Sequence, residues 1–162
     1  MKIVSLCGLL GYGYSEEALR TAFSEKVDYV GVDAGSTDPG PYYLGSGTSF
    51  TEREAVKRDL ALALPLALAQ KAPFIIGTAG GAGADVHVEW LLDIIREIAA
   101  EKGLRFQMGI VYSDVGREYV LKKIDEGKDI SLSEEFPMER RAVEESVRIV
   151  SQVGIAHLLK LL

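Results

Sequence analysis

The chain has 162 residues with 24 acidic and 18 basic side chains, a net charge of −6, and a length that suits one domain with its own core. The acidic balance excludes a general nucleic-acid binder, which would carry a basic stripe. No apolar run is long enough for a membrane span, and the lone Cys7 excludes an internal disulfide. We therefore expect a cytoplasmic, single-domain protein that binds neither nucleic acid nor membrane.

Two short apolar runs near the beginning predict strands, at residues 3–7 and 27–32. Between them lies a glycine-rich turn over residues 8–14, and Ser15 after it has the side chain of a helix N-cap. The second strand leads into a loop over residues 33–47 that is rich in glycine and proline. In compact domains a loop of this length is commonly functional.

The middle of the chain predicts a helix, a strand and a second glycine-rich turn. Thr51 and Glu54 form a capping-box pattern, so we expect the helix to begin there. Pro65 is expected to kink this helix or divide it in two. Residues 74–76 form an apolar run that predicts a third strand, and the glycines of residues 77–83 follow it directly.

The second half predicts further helices and a fourth strand. Asp85 has the side chain to cap a helix whose apolar residues recur at helical spacing until Gly103. Residues 105–112 are expected to form the fourth strand, with Asp114 capping the helix behind it. A last helix is expected over residues 138–153.

Strands that alternate with helices predict βαβ units, and therefore a mainly parallel sheet with right-handed crossovers. The predicted fold class is α/β, a single three-layer, Rossmann-like domain over residues 1–162 with about four strands and helices on both faces. Half of a (βα)8 barrel gives the same order of elements and stays open as the alternative.

Glycines concentrate where the predicted strands end, and eleven of the 17 lie in residues 8–13, 35–47 and 77–83. In open α/β sheets, ligands bind beyond the carboxyl ends of the strands, where glycine lets backbone N–H groups come close. Helices that begin there favour phosphate or carboxylate, so we expect a small anionic metabolite. The candidate ligand-binding residues are Gly11, Gly13, Ser36, Thr37, Thr78, Gly80 and Gly81.

Two carboxylates follow the second strand and are the candidate catalytic residues. Asp33 ends that strand and Asp38 lies five residues further on. Such a pair can act as base and acid, or hold a divalent cation. The alternative is that they cap their own turn, above all Asp38 before Pro39.

Common catalytic fingerprints do not occur in the chain. Neither Gly-x-Gly-x-x-Gly, Gly-x4-Gly-Lys-[Ser/Thr], His-Glu-x-x-His nor Gly-x-Ser-x-Gly occurs. His87 and Glu89 lie two apart, which puts them on different helix faces and disfavours a shared metal. Cys7 has no evident basic partner, which favours a buried structural thiol. The sequence identifies no cofactor and predicts no metal site.

Four segments resemble the acyclic terpene utilisation protein family: Gly8-Leu-Leu-Gly-Tyr-Gly-Tyr14, Val32-Asp-Ala-Gly-Ser-Thr-Asp-Pro-Gly-Pro-Tyr-Tyr-Leu-Gly45, Ala55-Val-Lys-Arg-Asp59 and Ile76-Gly-Thr-Ala-Gly-Gly-Ala-Gly-Ala84. The resemblance implies a role near branched acyl-CoA metabolism, in the breakdown of acyclic terpenoids. Members of that family are longer, so the chain resembles their N-terminal portion. A catalytic group supplied by the remaining portion would lie outside this chain.

Two functions from different classes follow from these patterns. The first is an enzyme, or the binding part of one, that uses its carboxylates for acid–base chemistry of the lyase or hydratase type. The second is a non-catalytic ligand-binding or assembly subunit. Residues 155–162 are apolar on nearly every face, which predicts a homo-oligomer or a C-terminal partner region that covers them.

Overall fold

Three parallel strands form the sheet in a computed structural model that describes residues 1–36, 39–128 and 139–162. The strands are β1 (Ile3–Ser5), β2 (Tyr29–Asp33) and β3 (Phe74–Gly77), in the spatial order β1-β2-β3. The register aligns Val4 with Val30 in the first pair and Asp33 with Gly77 in the second. Because the pairing is parallel, the carboxyl ends of the strands meet at one edge of the sheet.

The described residues contain seven α-helices, and the first begins where the sequence predicts. The helices are α1 (Glu16–Ala22), α2 (Tyr42–Ser46), α3 (Arg53–Ala69), α4 (Asp85–Lys102), α5 (Arg117–Asp125), α6 (Arg140–Glu145) and α7 (Ile155–Leu159), with a short 3-10 turn at Ala79–Gly81. The predicted N-cap of α1 is confirmed, because the Ser15 hydroxyl accepts a hydrogen bond from the Ala18 N–H at 3.3 Å.

The predicted capping box of α3 does not form, and Pro65 does not divide the helix. Glu52 is its N-cap residue and makes no side-chain capping bond, so the capping box at Thr51 does not form. Thr51 packs instead against the backbone at Gly11, where an added Cβ would lie 2.9 Å from the Thr51 Cβ. The helix also continues through Pro65. Residues on both sides of the proline are buried and pack the helix on the core. This packing compensates for the one helical hydrogen bond that Pro65, which has no N–H, cannot form.

The predicted caps at Asp85 and Asp114 are replaced by a pairing between these two residues. The N-cap position of α4 is Ala84, and the Asp85 N–H donates to the Asp114 Oδ1 at 2.9 Å. The Asp114 N–H donates in return to the Asp85 Oδ1 at 3.2 Å. The predicted last helix is shorter than expected: α6 ends at Glu145, and residue 138 lies outside the described residues.

Residues 105–112 do not form the predicted fourth strand. The segment makes no backbone hydrogen bond to the described part of the chain, and a cavity separates it from β3. Both ends are fixed elsewhere, because the Leu104 N–H donates to the Ala99 carbonyl at 2.9 Å and the Ser113 Oγ to the Gly83 carbonyl at 2.8 Å. The sheet therefore has three strands among the described residues.

Helices α1, α3 and α4 pack on one face of the sheet, and the predicted coverage of both faces stays a prediction. Val4, Val30 and Val32 point into the core on the covered face. On the opposite face Ile3 is 60% exposed and Ser5 is also exposed. Right-handed crossovers that step in one direction along a sheet place their helices on the same side. The α/β class is confirmed, and this strand order fits half of a (βα)8 barrel as well as half of a Rossmann sheet.

A buried carboxylate connects α3 to the loop after β1, residues 6–14, which we call loop 1. Asp59 is 1% exposed, and its Oδ2 accepts hydrogen bonds from the Gly11 N–H at 3.0 Å and the Gly13 N–H at 3.1 Å. Its Oδ1 accepts from the Arg58 guanidinium at 3.1 Å. Burial of a charge is costly unless it is paired, and here three donors compensate it. The carboxylate thereby fixes the conformation of loop 1.

We predict that Asp59→Ala lowers the free energy of unfolding by about 3 kcal/mol, because two charge-assisted bonds are lost and buried N–H groups stay unpaired. Asp59→Asn should cost less, since its amide oxygen still accepts a bond. Urea unfolding measures both. Arg58→Gln is the control, because its half-exposed ion pair should contribute less than about 1 kcal/mol. An Asp59→Ala effect no larger than that of the control would contradict the prediction.

Candidate functional site

A cleft of about 1770 Å³ opens at the carboxyl edge of the sheet. Loop 1 borders it, together with two further connections: loop 2 (residues 34–52, which contain α2) and loop 3 (residues 78–84). Residues 106–111 and Ser113 form another wall, and residues 150–154 with Leu158 also line the cleft. The cleft continues along β3 over an apolar floor of Leu64, Leu68, Leu91, Ile95 and Phe106. A concave, partly apolar cavity with polar groups at one end is the usual form of a small-molecule site.

Asp33 lines this cleft between loop 1 and loop 3. Its carbonyl accepts a hydrogen bond from the Leu10 N–H at 2.8 Å, and its position in the sheet is opposite Gly77. Its Oδ1 accepts the Gly35 N–H at 3.0 Å, so it also caps its own turn. The Oδ2 has no hydrogen-bond partner within the described residues. The catalytic role of Asp33 stays a prediction, and Asp38 and Thr37 lie outside the described residues.

Thr78 borders the cleft in a conformation that threonine rarely adopts. Its φ of +49° and ψ of +54° lie in the left-handed region, which costs a residue other than glycine about 1–2 kcal/mol. Its methyl group lies against Gly35, where an added Cβ would be 2.2 Å from the Thr78 Cγ2. Within the described residues the Thr78 hydroxyl has no hydrogen-bond partner. Residues held in such strain often belong to binding or catalytic sites.

The glycines of loop 3 occupy different positions relative to the cleft. Of the two predicted ligand-binding glycines in this loop, Gly81 lines the cleft and Gly80 does not. An added Cβ at Gly80 would lie 2.8 Å from the His87 Cβ, and the Gly80 carbonyl accepts the Phe50 N–H at 3.2 Å. The N–H of Ala79, which opens the 3-10 turn, has no partner among the described residues. Loop 3 therefore contains a backbone donor at the cleft that the described residues leave unpaired.

The other predicted ligand-binding residues divide in the same way. Ser36 lines the cleft. Gly11 and Gly13 do not line it, and the Asp59 carboxylate already accepts both of their N–H groups. Their role in ligand binding stays a prediction. A ligand would have to compete with the Asp59 carboxylate for these two N–H groups.

A cluster of three aromatic side chains, which the sequence analysis did not predict, lines the cleft. Tyr12 and Phe50 have ring centroids 6.4 Å apart, and Tyr43 lies 5.2 Å from Phe50 in an edge-to-face arrangement. We call these three residues the aromatic wall, and all of them line the cleft. The Gly-Tyr-Gly order around Tyr12 is the signal that could have identified it, because glycines on both sides let a loop present one large side chain. For Asp59, the signal is an acidic residue that directly precedes the apolar stretch of α3.

The helix starts near the cleft carry negative charge. α1 begins with two glutamates, and the Asp114 carboxylate lies against the first N–H of α4. A carboxylate at this position uses the positive end of a helix dipole, which an anionic ligand would otherwise use. The carboxylates therefore disfavour an anionic ligand at these two helix starts.

The cleft lining contains little formal charge. Within the described residues, Asp33 is its one carboxylate, and no Lys, Arg or His takes part. No group of three or more His, Cys, Asp or Glu side chains that could hold a metal occurs in the described part of the chain. Among its helices, none is both long and apolar enough to cross a membrane.

Comparisons with known proteins give no relative. No protein-family model matches the chain, and no curated protein or solved structure is significantly similar to it. The function is therefore argued from the cleft itself.

The Cys7 thiol beside loop 1 has a raised pKa, because burial and then the negative charge of Asp59 disfavour the thiolate. The Cys7 Sγ donates to the Leu9 carbonyl at 3.1 Å. The same two causes, burial first and then Asp59, raise the pKa of Tyr14. The raised pKa of Cys7 is typical of an unreactive thiol rather than of a nucleophile.

We predict that iodoacetamide alkylates Cys7 with a pH midpoint above that of N-acetylcysteine, because the folded chain holds the thiol protonated. The midpoint should fall in Asp59→Asn, which removes the second cause of the shift. Since the unfolded thiol ionises first, the folded state should lose stability as pH rises above the unfolded pKa. A midpoint equal to that of the free thiol would contradict the assignment.

Proposed function

We propose that the chain binds a small metabolite with a single anionic group at the carboxyl edge of its sheet, and that Asp33 supplies acid–base chemistry to it. The anionic group would lie against loop 3, at the Ala79 N–H and the Thr78 hydroxyl. The observation that carries the proposal is the left-handed conformation of Thr78. A strained β-branched residue destabilises the folded state. Because Thr78 borders the cleft, we interpret its strain as a requirement of ligand binding.

The charge of the lining limits the ligand. A diphosphate or triphosphate is commonly held by cationic side chains or a metal, and the described lining offers neither. One carboxylate or phosphate can be held by a backbone N–H and a hydroxyl alone. The apolar floor below β3 would take the uncharged part of the ligand, and the family resemblance suggests a branched acyl chain for it.

A second candidate function is ligand binding without catalysis. It is favoured by the described lining, in which Asp33 is the one carboxylate and no His or Lys takes part, because acid–base catalysis usually needs an acid and a base. A lyase or hydratase would take its second group from a tyrosine of the lining, Tyr12 or Tyr43, or from outside these residues. The two functions differ in whether Asp33→Asn loses turnover or only affinity.

Replacement of Thr78 separates stability from binding. We predict that Thr78→Gly raises the free energy of unfolding by up to about 1 kcal/mol, because glycine adopts positive φ without strain. The same variant should bind 3-methylbutanoate and inorganic phosphate about fivefold more weakly, since the hydroxyl is lost. Thr78→Ser should keep the affinity. Urea unfolding and titration calorimetry measure these effects.

Lys71 supplies the matched control for that experiment. It also has a positive φ, +56°, directly after α3, and it does not line the cleft. Lys71→Gly should therefore stabilise the fold by a similar amount and leave both probe affinities unchanged. Equal loss of affinity in the two glycine variants would contradict a binding role for Thr78.

The exposed C-terminal residues support a further part of the proposal, a homo-oligomer. Ile155 is 69% exposed, Leu159 63% and Leu162 61%, and Leu161 packs on Gly109 beside the cleft. Contiguous apolar surface of this kind commonly marks an interface. We propose a second copy of the chain as its cover, with a C-terminal partner region as the alternative.

Light scattering tests the oligomer. At micromolar concentration we predict a mass of two chains for the wild type and of one chain for Leu159→Asp, because a buried charge disfavours the interface. Lys160→Asp, at the neighbouring polar position, serves as the charge control. A monomeric wild type would contradict the proposal.

A further inference from the structure

The Asp33 Oδ2, which has no hydrogen-bond partner within the described residues, determines what kind of ligand group can face it. An ionised carboxylate only accepts hydrogen bonds, so the group beside the Oδ2 must be a donor. The Oδ1 already accepts the Gly35 N–H and keeps a second lone pair. Two neighbouring hydroxyls would satisfy both oxygens at once. A second anionic group at this point would be repelled, because no cationic side chain is present in the described lining.

The aromatic wall is presented rigidly toward the same cleft. Tyr12 is 66% exposed, yet the residues on both sides of it are fixed, since the N–H groups of Gly11 and Gly13 donate to one oxygen of buried Asp59. The Phe50 ring supports it at 6.4 Å. An exposed aromatic ring on a rigid loop loses little conformational entropy when a planar ring stacks on it.

The two features belong to adjacent loops. The Asp33 carbonyl accepts the N–H of Leu10, which lies two residues before Tyr12 in loop 1. The residue that carries the carboxylate is therefore in direct backbone contact with loop 1. On its other side, the Asp33 Oδ1 would lie 3.7 Å from a Cβ added to Gly77, just before loop 3. A hydroxylated ring at Asp33 would therefore lie between loop 1, which carries Tyr12, and loop 3.

We infer that the ligand is a ribonucleoside with no more than one phosphate. Asp33 accepts hydrogen bonds from the ribose hydroxyls, Tyr12 stacks with the base, and the phosphate lies against loop 3. The inference rests on the proposed anion site at loop 3, and it replaces the branched acyl chain suggested above with a ribonucleoside.

Titration calorimetry of the full chain tests the inference with four probes: adenosine 5′-monophosphate, its 2′-deoxy analogue, ribose 5-phosphate and inorganic phosphate. The ribonucleotide should bind most tightly. Loss of the 2′-hydroxyl should weaken binding about tenfold, because an acceptor of Asp33 is left unpaired. Loss of the base should also weaken binding about tenfold, because stacking on Tyr12 is removed.

The variant Tyr12→Ala distinguishes stacking from a general effect on loop 1. It should weaken binding of the ribonucleotide about tenfold and leave the affinity for inorganic phosphate unchanged. Tyr119→Ala is the matched control, since Tyr119 is 60% exposed on α5 and does not line the cleft. Thermal unfolding verifies that both variants fold.

The possible outcomes separate the inference from the proposed function. Equal affinity for the ribonucleotide, its deoxy analogue and ribose 5-phosphate would overturn the ribonucleoside and leave anion binding in place. Binding of 3-methylbutanoate without any binding of the ribonucleotide would do the same. If neither these probes nor inorganic phosphate binds, both the inference and the proposed function are wrong.

Discussion

The conformation of the cleft depends on one buried carboxylate. Asp59 accepts two N–H groups of loop 1 with a single oxygen, and it is almost completely removed from solvent. A charge in that position is stable only while its donors stay in place, so the loop and the helix constrain each other. Loop 1 therefore has the hydrogen bonding expected of an anion-binding loop, with the anion supplied by the chain itself.

The fixed loop positions the remaining parts of the site. Through Leu10 it contacts the end of β2, where Asp33 enters the cleft. Loop 2 then approaches loop 3 so closely that a side chain at Gly35 would overlap both Thr78 and the Gly81 carbonyl. Three connections that leave neighbouring strands at one edge thus form a continuous wall. The strained Thr78 lies where they meet, which fits a site that trades some stability for binding geometry.

Local patterns in the sequence were sufficient for the α/β class, three of the strands and the Ser15 cap, because these depend on short-range spacing and capping chemistry. Residues 105–112 have the apolar character of a strand, but pairing depends on where the ends of the segment are attached, and tertiary contacts decide that. The glycine clusters located the edge of the cleft. They could not show that Asp59, 48 residues from Gly11, takes up the loop N–H groups, since that contact exists only in the folded chain.

Amide hydrogen exchange of the wild-type chain, resolved by residue, tests the central claim most directly. If Asp59 anchors loop 1, the Gly11 and Gly13 amides should exchange far more slowly than that of Gly8 in the same loop, and Asp59→Asn should accelerate both together. Exchange of Gly11 and Gly13 as fast as that of Gly8, with no change in the variant, would contradict the account.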